Sequence, residues 1–352
     1  MDHFPLYDDV GGFPLPETID QVRFEQFYWT AYRALINKRE DDLLEHSGIN
    51  NYFFNPISQS IKFKLKSGLE IITYPQLMDM IIQFLNPIAD YEIEPNLIDP
   101  SKAVIPEMFV LDKIAKDHYS ETGASLKVKI CITGPIELYI KKHDFTIYQD
   151  LALNFAKSIN SFLKNSIINT KYVETSIVSI DEPSFGYVDL FNVSQDELIE
   201  LFDKSLEGIG TVNQIHLHSL KQAYIPLQSK NINVLTCEYA ADPTNKIPKK
   251  ELDQYDKYIR VGITRTNIDN IIGESIEKGK TWDEIKSYNG MLDLIDSKER
   301  IKKTLLEALK LYGDRLKYIG PDCSLKGWKI PEVAYKLLER TYEVINEVKK
   351  TY

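Results

Sequence analysis

Val212-Asn213-Gln214-Ile215-His216-Leu217-His218, Ile232-Asn233-Val234-Leu235-Thr236-Cys237-Glu238 and Tyr258-Ile259-Arg260-Val261-Gly262-Ile263-Thr264 are three short β-rich runs, separated by longer connecting segments. Runs of this kind alternating with helical segments mark β/α units around a parallel sheet. Working outward, the pattern recurs in the stretch ending at Val10-Gly11-Gly12, at 69–73, 127–133 and 176–181, and at 316–323, which makes eight runs. Eight strands close a (β/α)8 barrel, and a typical size of about 250 residues plus insertions suits a chain of 352. The expected fold is α/β, a single (β/α)8 TIM barrel, with residues 1–352 forming one domain.

The segments between the runs support this expectation. Residues 147–164 and 195–206 carry apolar side chains at three- and four-residue spacing, the pattern of helices that coat a barrel. The last helix is predicted to start at Pro331, a residue suited to the first helical position, with Val333, Leu337, Leu338, Val344 and Ile345 as its apolar stripe. Between the second and third runs, about 83–125, Pro87, Pro95, Pro100 and Pro106 punctuate a helical insertion.

Composition excludes several classes of function. With 52 acidic against 42 basic side chains and a net charge of −10, no Lys/Arg cluster stands out to follow a phosphate backbone, so nucleic acid is not an expected partner. The amino terminus, with Asp2, Asp8 and Asp9, has no basic segment followed by an apolar one. No uncharged apolar run approaches the roughly 20 residues of a membrane span. Cys131, Cys237 and Cys323 are too few for a disulfide framework, which predicts a reducing, cytoplasmic location.

Reactive residues of such barrels cluster at the carboxyl ends of the strands. Here those ends are polar: Asp181-Glu182-Pro183, His216-Leu217-His218, Cys237-Glu238 and Pro321-Asp322-Cys323. His216 and His218 stand two apart on a predicted strand, so both imidazoles project to one side. Together with Glu238 and Cys323 they would offer two nitrogens, a carboxylate and a thiolate, a donor set suited to zinc (Zn2+). Adjacent strand residues face opposite ways, so Cys237 is expected to be a buried structural thiol. Asp181 and Glu182 read two ways, as candidate catalytic carboxylates that engage a substrate amino group or as a strand end capping the next helix. Gly11-Gly12-Phe13-Pro14 is either a turn or a place where substrate approaches the backbone. His143, in a polar stretch, is expected on the solvated surface.

Taken in order, Val10-Gly11-Gly12-Phe13-Pro14, Thr133-Gly134-Pro135, Ile180-Asp181-Glu182-Pro183, His216-Leu217-His218, Cys237-Glu238 and Pro321-Asp322-Cys323-Ser324-Leu325-Lys326 resemble the cobalamin-independent methionine synthase family. The resemblance is to its catalytic, carboxyl-terminal barrel, as in the short core methionine synthases. It implies a zinc site made of His216, His218, Glu238 and Cys323, with His218 standing where the family has Cys. It also implies a substrate site near Gly11, Gly12, Gln76 and Asp181. Gly12 replaces the family's Ser, and Gln76 replaces a carboxylate expected to bind the amino group of homocysteine. The Trp expected to stack on a folate after Thr133-Gly134-Pro135 is absent, with Leu138-Tyr139-Ile140 in its neighbourhood.

The implied activity is zinc-dependent methyl transfer to the thiol of homocysteine, forming methionine, with a methylated corrinoid protein or another pterin as donor. Two alternatives stand beside it: a corrinoid-linked methyltransferase acting on a different small thiol, and an inactive paralogue serving as a scaffold subunit.

Overall fold

β-branched and aliphatic residues dominate the strands because strands buried on both faces have no solvent side to keep polar. A computed structural model of the chain describes residues 4–352; Asp2 and the other residues of 1–3 lie outside the described residues. Eight parallel strands pair in the order β1-β8-β7-β6-β5-β4-β3-β2. They are β1 (Leu6–Tyr7), β2 (Ile72–Thr73), β3 (Leu126–Thr133), β4 (Val173–Asp181), β5 (Val212–His216), β6 (Val234–Cys237), β7 (Tyr258–Thr264) and β8 (Leu316–Pro321). A single parallel bridge between Asp8 and Ile71 joins the first and second strands and brings the curled sheet back on itself. This is the expected TIM-barrel architecture.

Helices wrap the sheet where periodicity placed them. Gln149–Ser166 and Gln195–Ser205 pack apolar faces inward, and Pro331–Lys349 starts at its proline and buries Val333, Leu337, Leu338, Val344 and Ile345. The insertion after β2 contains the helices Met80–Ala89 and Pro106–Thr122, joined through a short 3-10 turn at Pro100–Lys102. Pro87 lies inside the first of these helices instead of ending it. A second excursion, between β1 and β2, was not predicted: Gln21–Ile36 and Asn55–Lys66 are long helices there. Its signal is present, since Phe24, Tyr28 and Tyr32 recur at every fourth position and are all buried. Among the described residues, no helix is long and apolar enough to cross a membrane.

Inside the sheet, inward side chains stack in layers drawn from alternate strands. Ile71, Ile177, Val234 and Tyr318, from the even-numbered strands and the bridge beside β2, form a small apolar cluster of their own. Above it, Asp8, from the bridge just past β1, and Lys129, Gln214 and Arg260, from β3, β5 and β7, are fully buried or nearly so. Two residues further along the even strands stand Thr73, Ser179, Thr236 and Gly320. Gly320 has to be glycine, because a Cβ there would lie 1.9 Å from the Asp8 carbonyl oxygen and 2.6 Å from Arg260 Nη2. The barrel thus has an apolar floor, a charged middle and a small-residue ceiling beneath its carboxyl-terminal mouth.

The insertion hides a titrating group. Glu107, in the first turn of Pro106–Thr122, is fully buried with Gln83 Nε2 3.2 Å from its Oε2, and burial raises its pKa from 4.5 to about 7. Because its folded-state pKa lies above the unfolded value, its stabilising contribution is complete below about pH 4.5 and is lost as pH rises through about 7. Relative to Glu107→Gln, the wild type should therefore lose about 3 kcal/mol of stability across that window. Urea unfolding at a series of pH values measures the difference, and parallel curves for the two proteins would refute it.

Candidate metal centre

Three strand ends build the site. β5 stops at His216 and β6 at Cys237, so His218 and Glu238 lie just past the ladder and turn into the mouth from loops. The parity difficulty at Cys237-Glu238 is resolved in this way: Cys237 is fully buried in the main core, with Sγ 3.7 Å from the Arg260 carbonyl, as expected of a structural thiol. Cys323 arrives from beyond the end of β8, its amide donating to Thr266 Oγ1 at 3.0 Å.

Among the described residues, His216, His218, Glu238 and Cys323 form one group whose candidate ligand atoms all lie within 4.8 Å of one another. His216 Nε2 is 3.3 Å and His218 Nε2 3.8 Å from Cys323 Sγ. Glu238 Oε1 is 4.0 Å from His216 Nε2 and 3.4 Å from His218 Nε2. Zinc bonds of about 2.0–2.3 Å in a tetrahedron imply ligand-to-ligand edges of roughly 3.3–3.6 Å, so the four residues fit one such ion. His216 Nδ1 lies 2.7 Å from Thr236 Oγ1, a buried contact that holds the ring with Nε2 toward the group. Burial, then the Glu238 charge, pushes the Cys323 thiol well above its usual pKa, and burial holds His216 well below its own. A divalent cation would reverse the first effect, so binding should release a proton from the thiol.

Asp322 holds the cluster's frame, a role the sequence reading did not assign. Its buried carboxylate accepts from the amides of Ala240 at 3.0 Å and Ala241 at 2.7 Å, tying the chain beside Cys323 to the loop that carries Glu238. Gly262 makes room for it, since a Cβ there would lie 1.9 Å from Asp322 Oδ1. A cleft of about 280 Å³, lined by His218, Glu238, Lys221 and Asp242 among others, opens beside the ligands. A larger cavity of about 820 Å³ lies at the opposite, amino-terminal end, lined by Ile71, Val234, Tyr258 and Tyr318 among others.

The other predicted residues fall into distinct places. Asp181 ends β4 and is nearly buried, its Oδ1 2.9 Å from Cys131 Sγ and 3.3 Å from Ser179 Oγ, and burial raises its pKa to about 6. Glu182 is fully buried, and its two oxygens accept from the amides of Ile136 at 3.0 Å and Glu137 at 2.7 Å. It thereby caps the helix Pro135–His143, and Gly134 is needed because a Cβ there would meet Glu182 Oε1 at 2.2 Å. Gln76 has a positive φ of 46°, donates Nε2 to the Cys131 carbonyl at 2.9 Å, and leaves its buried Oε1 without a partner. Gly11, at φ 140°, packs against that amide. His143 corrects the surface expectation: it is half-buried between the rings of Tyr139 and Phe155, because the end of its helix packs on Gln149–Ser166.

Gly12 and Ser324 share one volume. A Cβ on Gly12 would lie 2.1 Å from Ser324 Oγ and 3.1 Å from Ser324 Cβ, so a side chain there requires the Ser324 hydroxyl to turn away and its backbone to give slightly. Gly12→Ser should cost about 1–3 kcal/mol through overpacking, and adding Ser324→Gly should recover most of it. Thermal unfolding of the two single variants and the double variant tests this, and additive effects would disprove the shared volume.

No family model matches the chain. A curated 5-methyltetrahydropteroyltriglutamate–homocysteine methyltransferase from Mycobacterium leprae (strain TN) is 21% identical over 300 residues, which is 80% of this chain and 36% of that protein. The chain thus matches little more than a third of that relative's length. A B12-independent methionine synthase from Shewanella sp. W3-18-1, solved in complex with selenomethionine, superposes with a TM-score of 0.60 at 15% identity, covering 99% of both chains. A putative vitamin-B12-independent methionine synthase from Listeria monocytogenes gives 0.54 at 14% identity, covering 98% of both. The chain is similar in sequence and in fold to these proteins.

Proposed function

We propose that this chain, homologous to the B12-independent methionine synthases, is a zinc-dependent methyltransferase that methylates the thiol of homocysteine to form methionine. The observation that carries the proposal is the convergence of His216, His218, Glu238 and Cys323 at the barrel mouth. Zinc held there would lower a thiol's pKa and so supply a nucleophilic sulfur near neutral pH. The chain's own residues bind and orient. Asp181, positioned by Cys131 and Ser179, would accept the substrate ammonium, with the unpartnered Gln76 Oε1 as a second acceptor. Gly11 and Gly12 would leave the backbone open to the amino-acid end. With His218 in place of a thiolate the ligand set carries one negative charge fewer, which favours thiol deprotonation and yields a weaker nucleophile. The need for a reduced thiol suits a cytoplasmic enzyme.

A methylated corrinoid is the proposed donor, ahead of a pterin. Leu138 and Tyr139 are fully buried and Ile140 nearly so, and the Tyr139 hydroxyl donates to the Thr146 carbonyl at 3.1 Å, so none offers a free face for stacking. Neutral Gln76 favours one second reading, a small thiol without an amino group.

Zinc-loaded protein assayed with methylcobalamin and with methyltetrahydrofolate should methylate homocysteine at least tenfold faster from the corrinoid. Faster methylation of a thiol lacking the amino group would establish the second reading. Loaded protein that transfers no methyl group to any thiol from either donor would overturn both and leave the scaffold alternative.

A further inference from the structure

Of the three cysteines, Cys131 alone has no place in the apolar core or the metal centre. It is fully buried, yet it belongs to neither apolar cluster, and it stands on β3 two residues nearer the mouth than Lys129. Both ends of the residue are engaged. Its carbonyl accepts from the Tyr74 hydroxyl at 2.5 Å and from Gln76 Nε2 at 2.9 Å, while its thiol lies 2.9 Å from Asp181 Oδ1. Gln76 and Asp181, the two acceptors assigned above to a substrate ammonium, are thus held by one residue. Burial, then the Asp181 charge, keeps the thiol well above its usual pKa, so it stays protonated and donates. Ser179, paired with Cys131 across the ladder, donates Oγ to the same Oδ1 at 3.3 Å. Oδ2 accepts from none of the described residues and, unlike Gln76 Oε1, is not sealed from solvent. The carboxylate therefore turns one oxygen onto the strands and presents the other to the mouth.

We infer that Cys131 is a positioning residue for substrate selection, its thiol holding Asp181 Oδ1 so that Oδ2 receives the ammonium of an amino-acid thiol. The inference rests on the homocysteine reading and names the group that enforces it. A loose carboxylate here would have a competing attraction in the Lys129 ammonium, two residues back along β3 and already bound to Asp8. Of the two donors that keep Asp181 from turning that way, the thiol is the closer. A hydrogen bond to a charged acceptor is stronger than one between neutral groups, so losing it should loosen the carboxylate measurably.

By calorimetry, zinc-loaded wild type should bind homocysteine at least about tenfold more tightly than its deamino analogue. Cys131→Ala should lose most of that preference, and Cys131→Ser, which keeps a donor, should recover it. Zinc content and affinity for the deamino analogue should stay as in the wild type for both variants, which a general loss of structure would not allow. In turnover the Cys131→Ala defect should appear as a raised KM for homocysteine and not as a lowered kcat. A preference that survives in Cys131→Ala overturns the inference, as does a wild type that has none. A binding preference that follows Cys131 without any methyl transfer would uphold the inference and overturn the methyltransferase reading instead. Crystals of zinc-loaded wild type with homocysteine decide the matter even if neither variant folds: the ammonium is expected at Asp181 Oδ2, and an ammonium at Oδ1 or away from Asp181 overturns the assignment.

Discussion

Cys323→Ser should bind zinc at least about a hundredfold more weakly than the wild type, because losing a direct thiolate ligand exceeds the ten- to hundredfold penalty for losing a ligand's supporting partner. Methyl transfer should fall with it. The hydroxyl that replaces the thiol is a poor zinc ligand and leaves two imidazoles and Glu238 to hold the ion. Cys237→Ser is the matched control: that thiol is buried in the core, away from the cluster, so the variant should keep its zinc while losing stability. Zinc content after dialysis, and competition with a chromogenic chelator, report the two affinities. Equal loss from both variants would show that the wrong cysteine has been assigned to the metal.

Lys64→Met should destabilise the fold by about 3–5 kcal/mol, the range for breaking one partner out of a buried ion pair. Lys64 is fully buried in the excursion between β1 and β2, and its Nζ donates to Asp9 Oδ2 at 2.6 Å, to the Gly11 carbonyl at 2.7 Å and to the Thr73 carbonyl at 2.8 Å. Methionine fills most of the volume but strands the Asp9 carboxylate, whose other oxygen accepts from the Thr73 amide at 2.8 Å. Adding Asp9→Asn should restore part of the loss, since the stranded charge is then gone. The functional consequence runs through Gly11, whose carbonyl loses its anchor beside Gln76. Denaturant midpoints measure the stability change, and a loss under about 1 kcal/mol would mean that the pair is solvated.

The barrel was legible because β-rich runs buried on both faces interrupt helical periodicity eight times, and because the ligands are polar residues placed where apolar runs stop. Glu238 and His218 were legible as residue types but not as geometry: only the early ends of β5 and β6 turn them inward. The buried charges were not legible at all. Lys129 and Arg260 sit inside apolar runs, and nothing local shows that each meets Asp8, which is 121 and 252 residues away in sequence. Asp322 and Glu182 were hidden for the same reason, since each bonds to backbone amides of another β/α unit. The excursion carrying Lys64 shows only as the four-residue aromatic period of its helix Gln21–Ile36, a pattern that marks a helix but not the insertion it belongs to.

The volume shared by Gly12 and Ser324 also constrains descent. A side chain at position 12 meets the Ser324 hydroxyl as that hydroxyl now points, so growth at one position has to be matched by a smaller residue or a turned hydroxyl at the other. The two positions, 312 residues apart in sequence, are therefore expected to change together, and paired substitution at 12 and 324 is the trace to look for among relatives.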